Sequence, residues 1–146
     1  MADSLFRAME PDADDGPKVG EKRNMLGARP DVDMKKGPRA PDGTRVAGPG
    51  RGGPSVSVND WSHMHVTVRP KAFGGHNSLN RMYVAPGSAL EPARLALGTI
   101  DAVTKHSVIE AAEECSFEVF QVRIASMRPS WTFAPPPVRP VKGRRR

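Results

Sequence analysis

Apolar positions fall in short bursts separated by breakers, and a helical period occurs only once, late in the chain. Ser4-Leu5-Phe6-Arg7-Ala8-Met9 ends at Glu10-Pro11-Asp12, which predicts a first strand followed by an acidic turn. Pro54-Ser55-Val56-Ser57-Val58 alternates small polar and β-branched residues, the period of a half-buried strand, and Asn59-Asp60-Trp61 closes it. His63 to Val68 reads as a further strand or a short helical turn, ended by Arg69-Pro70. Arg81 to Val84 predicts a strand before the Pro86-Gly87-Ser88 turn, and 93–98 and 104–110 are the next two candidates. Ser116 can cap a helix from Phe117 to about Met127, with Phe117, Phe120 and Ile124 on one face. Arg128-Pro129 stops that helix, and Trp131 and Phe133 are expected to dock back on the core.

Between the first two strands, residues 11–53 hold few large apolar side chains and many breakers, among them Gly48-Pro49-Gly50-Arg51-Gly52-Gly53. So long a loop beside an ordered strand predicts a partly ordered, functional segment. After Pro135 the chain reads as an extended, solvated tail. No internal repeat is visible. With 146 residues, 15 Pro and 14 Gly, a stack of long helices is excluded, and an α+β domain over 1–134 with a Pro/Arg-rich tail over 135–146 is expected.

Charge adds little to this picture. The formal net charge is +6, but Arg139, Lys142, Arg144, Arg145 and Arg146 supply five of those charges. Residues 1–138 therefore carry about +1, so a nucleic-acid partner is suggested only through the 139–146 tail. Cys115 is the single cysteine, which excludes an intramolecular disulfide and suits a reducing cytoplasm. The first fifteen residues lack the basic and apolar regions of a secretory signal, and no apolar run reaches membrane-spanning length, so no membrane partner is expected.

Several chemistries fall away on residue type. His63 and His65 share a strand face but lack enough further ligands for a zinc centre. Glu113 and Glu114 beside Cys115 disfavour its thiolate, so it reads as structural. Gly48 to Gly53 lacks the Lys-Ser/Thr of a phosphate-binding P-loop.

One ordered set of motifs remains. Leu5-Phe6-Arg7 opens it, then Met25-Leu26-Gly27-Ala28-Arg29-Pro30, Gly52-Gly53-Pro54-Ser55-Val56, and His106-Ser107-Val108-Ile109-Glu110-Ala111-Ala112 before the Ser116 to Gln121 helix start. In this order the chain resembles the small ADP-ribosyltransferase-like toxins delivered by bacterial type VI secretion, and their free-standing bacterial relatives. The resemblance covers residues 5–131, with Ala111 standing where those proteins have proline.

It implies two small antiparallel or mixed sheets forming a cleft, with the 11–53 loop near its mouth. It also implies NAD as substrate, ADP-ribosyl transfer to a macromolecular acceptor or NAD hydrolysis, and a cognate immunity protein or antitoxin as partner. The place of action is the cytoplasm of the producer or of a target cell. Carried over residue by residue, it gives His106, Ser55 and Glu110 as catalytic residues and Arg7, Gly53, Ser57 and Trp61 as NAD-binding ones. These types suit the chemistry: Arg7 can hold a phosphate, small serines can support a ribose, and His106 and Glu110 can bond ribose hydroxyls as positive charge develops. The bland readings stand beside these: Ser55 and Ser57 as strand alternation, Glu110 as a solvated acid, Trp61 as core. From other classes, the alternatives are a non-enzymatic basic binding module for nucleic acid or an acidic protein, and a structural protein of a phage or secretion particle.

Overall fold

The computed structural model describes residues 3–35, 37, 39–41 and 43–137; the Arg-rich tail lies outside them from residue 138 onward. Six strands form one antiparallel sheet: β1 (Ser4–Met9), β2 (Ser55–Val58), β3 (Arg81–Pro86), β4 (Leu95–Leu97), β5 (His106–Ala111) and β6 (Thr132–Phe133). Their order across the sheet is β4-β5-β2-β1-β3-β6, and α1 (Phe117–Ser126) is the single α-helix among the described residues. The chain is thus a small α+β domain.

The sheet is continuous, which corrects the expectation of two small sheets. β2 accounts for this, because it pairs with β1 on one side and β5 on the other. The cleft expected between sheets must therefore lie within or upon one sheet.

Alternation decides which side chains meet α1. Leu5, Met9, Val56, Val58, Tyr83, Ala85, Ile109 and Ala111 form the main core with Phe117, Phe120 and Ile124 of the helix. Ser116 caps α1, its Oγ accepting from the Val119 N–H at 3.1 Å. Trp131 is buried in the same core, whereas Phe133 is 39% exposed on β6, tilted against Tyr83 and lying under the Arg81 guanidinium. The expected docking of both aromatics is corrected for Phe133: on an edge strand it covers the sheet margin instead.

The 11–53 segment is ordered by burial and cross-chain bonds rather than by regular structure. Leu26, Ala28, Met34 and Ala47 insert into the main core. The Gln121 carboxamide clasps the Ala28 backbone, accepting from its N–H at 2.8 Å and donating to its carbonyl at 3.0 Å. This two-bond clasp ties the loop to the middle of α1 across 93 residues of sequence.

A second tie joins the loop to the far end of the helix. Asp14 accepts from Arg128 through both oxygens, at 2.7 and 2.5 Å, and Arg128 Nε donates to the Pro17 carbonyl. The Arg128 hydrogen bonds, then the Gly16 N–H, bring the Asp14 carboxyl down to about 2. A depressed carboxyl contributes stability that is full above its ordinary value and lost as pH falls through the folded one. Asp14→Asn should therefore lower the unfolding midpoint at pH 6, and the difference from the parent should shrink steadily as pH falls from about 4 through 2. Thermal melts across this range check it; an equal difference at both ends would show that the tie contributes nothing through ionisation.

The opposite face of the sheet carries a smaller cluster. Phe73, Met82 and Ala134 are buried there with Phe6, Trp61, Met64 and Val84 packed around them. Residues 60–77 supply it through a series of turns, including the 3-10 turn Lys71–Phe73 and a bridge between Pro70 and Asn77. The 63–68 stretch is therefore turns and not a strand.

Candidate functional site

The site lies where β1 and β2 part. β1 pairs with β3 over six positions but with β2 over two, Leu5 with Val58 and Phe6 with Ser57. Beyond Phe6, the Arg7 guanidinium crosses to β2 and donates to the Ser55 carbonyl at 2.6 Å. Over this fork opens a cavity of about 390 Å³, within the range that holds a small-molecule ligand.

Its floor is made of Phe6 to Ala8 from β1 and Ser55 to Ser57 from β2, with His106 and Thr104 on the β5 side. Met64 and Val68 from the turns above form an apolar wall, flanked by His63 and His65. Arg23, Arg29 and Asp33 from the 11–53 segment close the other end. Four of the seven residues singled out in the sequence thus meet in one cleft: Arg7, Ser55, Ser57 and His106.

Arg7 is 7% exposed. Besides Ser55, it donates to the Arg23 carbonyl at 3.2 Å and the Met25 carbonyl at 2.9 Å, so it pins the loop to β2. Its Nε–H is buried without a partner. Burial brings the guanidinium down to about 10; Asp33 partly opposes this and Arg29 adds to it. It remains a cation at neutral pH.

Arg29 is largely spoken for by Asp33, whose oxygens take its Nε at 3.3 Å and its outer nitrogen at 2.9 Å, along with its backbone N–H at 2.7 Å. Arg23 is exposed at the rim. Three guanidinium groups against one carboxylate leave this end positive by about two charges, suited to a diphosphate.

At the other end His106 is exposed and stands across from Ser57 in register, with its Nε2 3.3 Å from the Ser55 Oγ. The turn before β5 sets this position. Asp101 accepts from the N–H groups of Val103 and Thr104 at 2.9 and 2.8 Å, and these backbone bonds hold its carboxyl below the usual range. Lys105 then adopts a left-handed φ of 65°, turning the chain into the strand.

The other three residues stand elsewhere. Gly53 precedes β2 beneath β5, where backbone meets backbone and there is no room for a side chain. Trp61 packs edge-to-face on Phe73 at 4.9 Å, behind the wall that Met64 presents to the cleft. Glu110 lines a neighbouring cavity, which shares His106 with the cleft.

Arg23, Arg29, Asp33, His63, His65 and Thr104 line the cleft without having been singled out as ligand-binding residues. Arg29 lies inside the Met25 to Pro30 motif, a usable signal; the others sit in turns that carry no pattern. No cluster of three or more His, Cys, Asp or Glu suited to a metal occurs among the described residues. Nor is any described helix long and apolar enough to cross a membrane. No protein-family model, curated protein or solved structure matches the chain.

Proposed function

We propose that the cleft binds NAD and breaks the bond between nicotinamide and ribose, and that the chain is an ADP-ribosyltransferase-like toxin. The observation that carries this reading is the meeting of Arg7, Ser55, Ser57 and His106, from three strands, around one cavity. The positive end, where the Arg7, Arg23 and Arg29 guanidinium groups outnumber the Asp33 carboxylate, takes the pyrophosphate. The apolar stretch of Phe6, Ala8 and Met64 takes a flat ring. His106 and Ser55 then stand at the nicotinamide ribose, bonding its hydroxyls.

The cleavage sends the electron pair of the glycosidic bond to nicotinamide and leaves positive character on the sugar. His106 and Ser55 hold the ribose hydroxyls where that change occurs, and such groups act most when aimed at developing charge. Water or a nucleophile of a macromolecule completes the reaction at the same carbon. An immunity protein or antitoxin is the partner that such a toxin needs in the cell that makes it.

His106→Ala tests the reading. The imidazole is exposed and outside both cores, so its loss should leave the unfolding midpoint near the parent's. Nicotinamide release from NAD should fall about tenfold or more, the scale for losing a positioned polar group. Activity that drops only as the folded fraction drops would remove His106 from the site. A parent protein that binds NAD without releasing nicotinamide would leave a binding module in place of an enzyme.

A further inference from the structure

The near balance of charge over residues 1–138 conceals one uneven segment. Residues 35–51 hold Lys35, Lys36, Arg39, Arg45 and Arg51 against Asp42 alone, a net charge of +4. The fold gathers four of these cations, Lys35, Arg39, Arg45 and Arg51, all exposed or half-buried. The segment doubles back at a turn, where the Gly43 N–H donates to the Ala40 carbonyl at 2.9 Å. Arg39 and Arg45 stand opposite each other there in an antiparallel bridge. Opposed residues send their side chains to the same face, with Cβ atoms about 4.5–5.5 Å apart, and like charges placed this way repel.

Arg45 and Arg51 then converge on Gly37. Arg45 donates to the Gly37 carbonyl at 3.5 Å, and Nη1 of Arg51 lies 2.7 Å from where a Cβ of that glycine would stand. Lys35 runs beside them, its N–H donating to the Arg51 carbonyl at 2.8 Å. The side-chain acceptors are backbone carbonyls, Gly43 for Arg39 at 2.5 Å and Gly37 for Arg45, which leave the charge uncancelled. Among the described residues, the only carboxylate within ion-pair distance of the four is Glu114, 4.0 Å from Arg51 and itself 69% exposed.

We propose that this face docks the phosphate backbone of a nucleic-acid duplex. A row of phosphates supplies what the clustered cations lack, anionic acceptors spaced so that several engage at once. A duplex fits better than a single strand, because no aromatic residue lies between Phe6 and Trp61 and unpaired bases would find nothing to stack on. A lipid surface fits less well, since no large aliphatic or aromatic side chain is exposed among the described residues of 35–51 to enter it. Contacts to phosphate alone carry no sequence information, so the binding is blind to sequence. It requires nothing of the cleft and stands apart from the NAD reading.

The test uses the full chain, without NAD, and a short labelled DNA duplex of mixed sequence followed by fluorescence anisotropy. Affinity should fall steeply between about 50 and 200 mM salt. Arg39→Gln/Arg51→Gln, with the parent's unfolding midpoint, should weaken binding about tenfold or more at the lower salt and flatten the log–log salt slope by about 2. Glu114→Gln removes the opposing carboxylate and should tighten binding, a change that misfolding cannot imitate. In the 15N-labelled protein, the duplex should shift Lys35, Gly37, Arg39, Arg45 and Arg51 together. Shifts confined to 139–146, or unchanged affinity in both variants, would overturn the proposal. A single strand bound more tightly than the duplex would overturn its duplex part. Phosphatidylserine vesicles bound as tightly as the duplex would overturn the choice of nucleic acid.

Discussion

Gly53→Ala is expected to leave no cooperatively folded protein. A Cβ at this position would stand well inside the van der Waals distance of the Ile109 carbonyl oxygen, and 3.0 Å from the ring of Phe120. Neither neighbour can give way cheaply. Ile109 is fully buried, and its N–H donates to the Pro54 carbonyl at 2.9 Å, so the obstructing backbone is fixed by the residue next to the substitution. Phe120 is fully buried at the centre of the helix face. Ordinary overpacking costs about 1–3 kcal/mol when side chains can move; a backbone obstruction between β2 and β5 should exceed that. Far-UV circular dichroism against urea checks it, and a sigmoidal transition with a midpoint near the parent's would show that β2 and β5 can separate.

Arg7→Lys should be the next most damaging, and it separates two roles in one residue. The guanidinium bonds three carbonyls on two segments, Ser55 on β2 and Arg23 and Met25 on the loop. An ammonium keeps the charge but cannot reach all three, and each buried acceptor left unpaired costs about 1–3 kcal/mol. A destabilisation of about 3 kcal/mol is expected. Because the loop also carries Arg23, Arg29 and Asp33 to the cleft, affinity for NAD should fall in the fraction that remains folded. A variant as stable as the parent would mean that the loop is held without Arg7, by its buried apolar side chains and the Gln121 and Arg128 ties. A stable variant that no longer binds NAD would show that Arg7 acts on the ligand only.

The difference between these two residues shows what the sequence could reveal. β1, β2 and α1 were legible because their signals are local: an apolar burst, a period of two, and a serine cap before a helical stripe. Strand order was not legible. That β2 pairs with both β1 and β5 depends on contacts between residues some fifty positions apart, such as Ser55 with Val108.

The same limit divides the candidate site. Ser55, Ser57 and His106 sit on strands whose alternation could be read, and they reach one cleft. Arg7 could be read as a ligand for phosphate, but its three carbonyl partners come from folding a patternless loop back upon β1. His63 and His65 are too few ligands for a metal centre in sequence; they stand over the cleft because residues 60–77 fold onto a small apolar cluster, which no periodicity announces. Glu110 follows in part, since alternation puts it on the face of His106, yet it opens to the adjoining cavity.

Titrating NAD into the 15N-labelled protein while recording backbone amide spectra tests the central claim most directly. Saturable shifts should appear together at Arg7 and Ala8, at Ser55 to Ser57, at His63 to His65 and at His106, the residues that surround the fork between β1 and β2. The Arg-lined end at Arg23 and Arg29 should respond to ADP-ribose but not to nicotinamide alone. Shifts confined to other surfaces, or none at millimolar NAD, would contradict the assignment of the cleft.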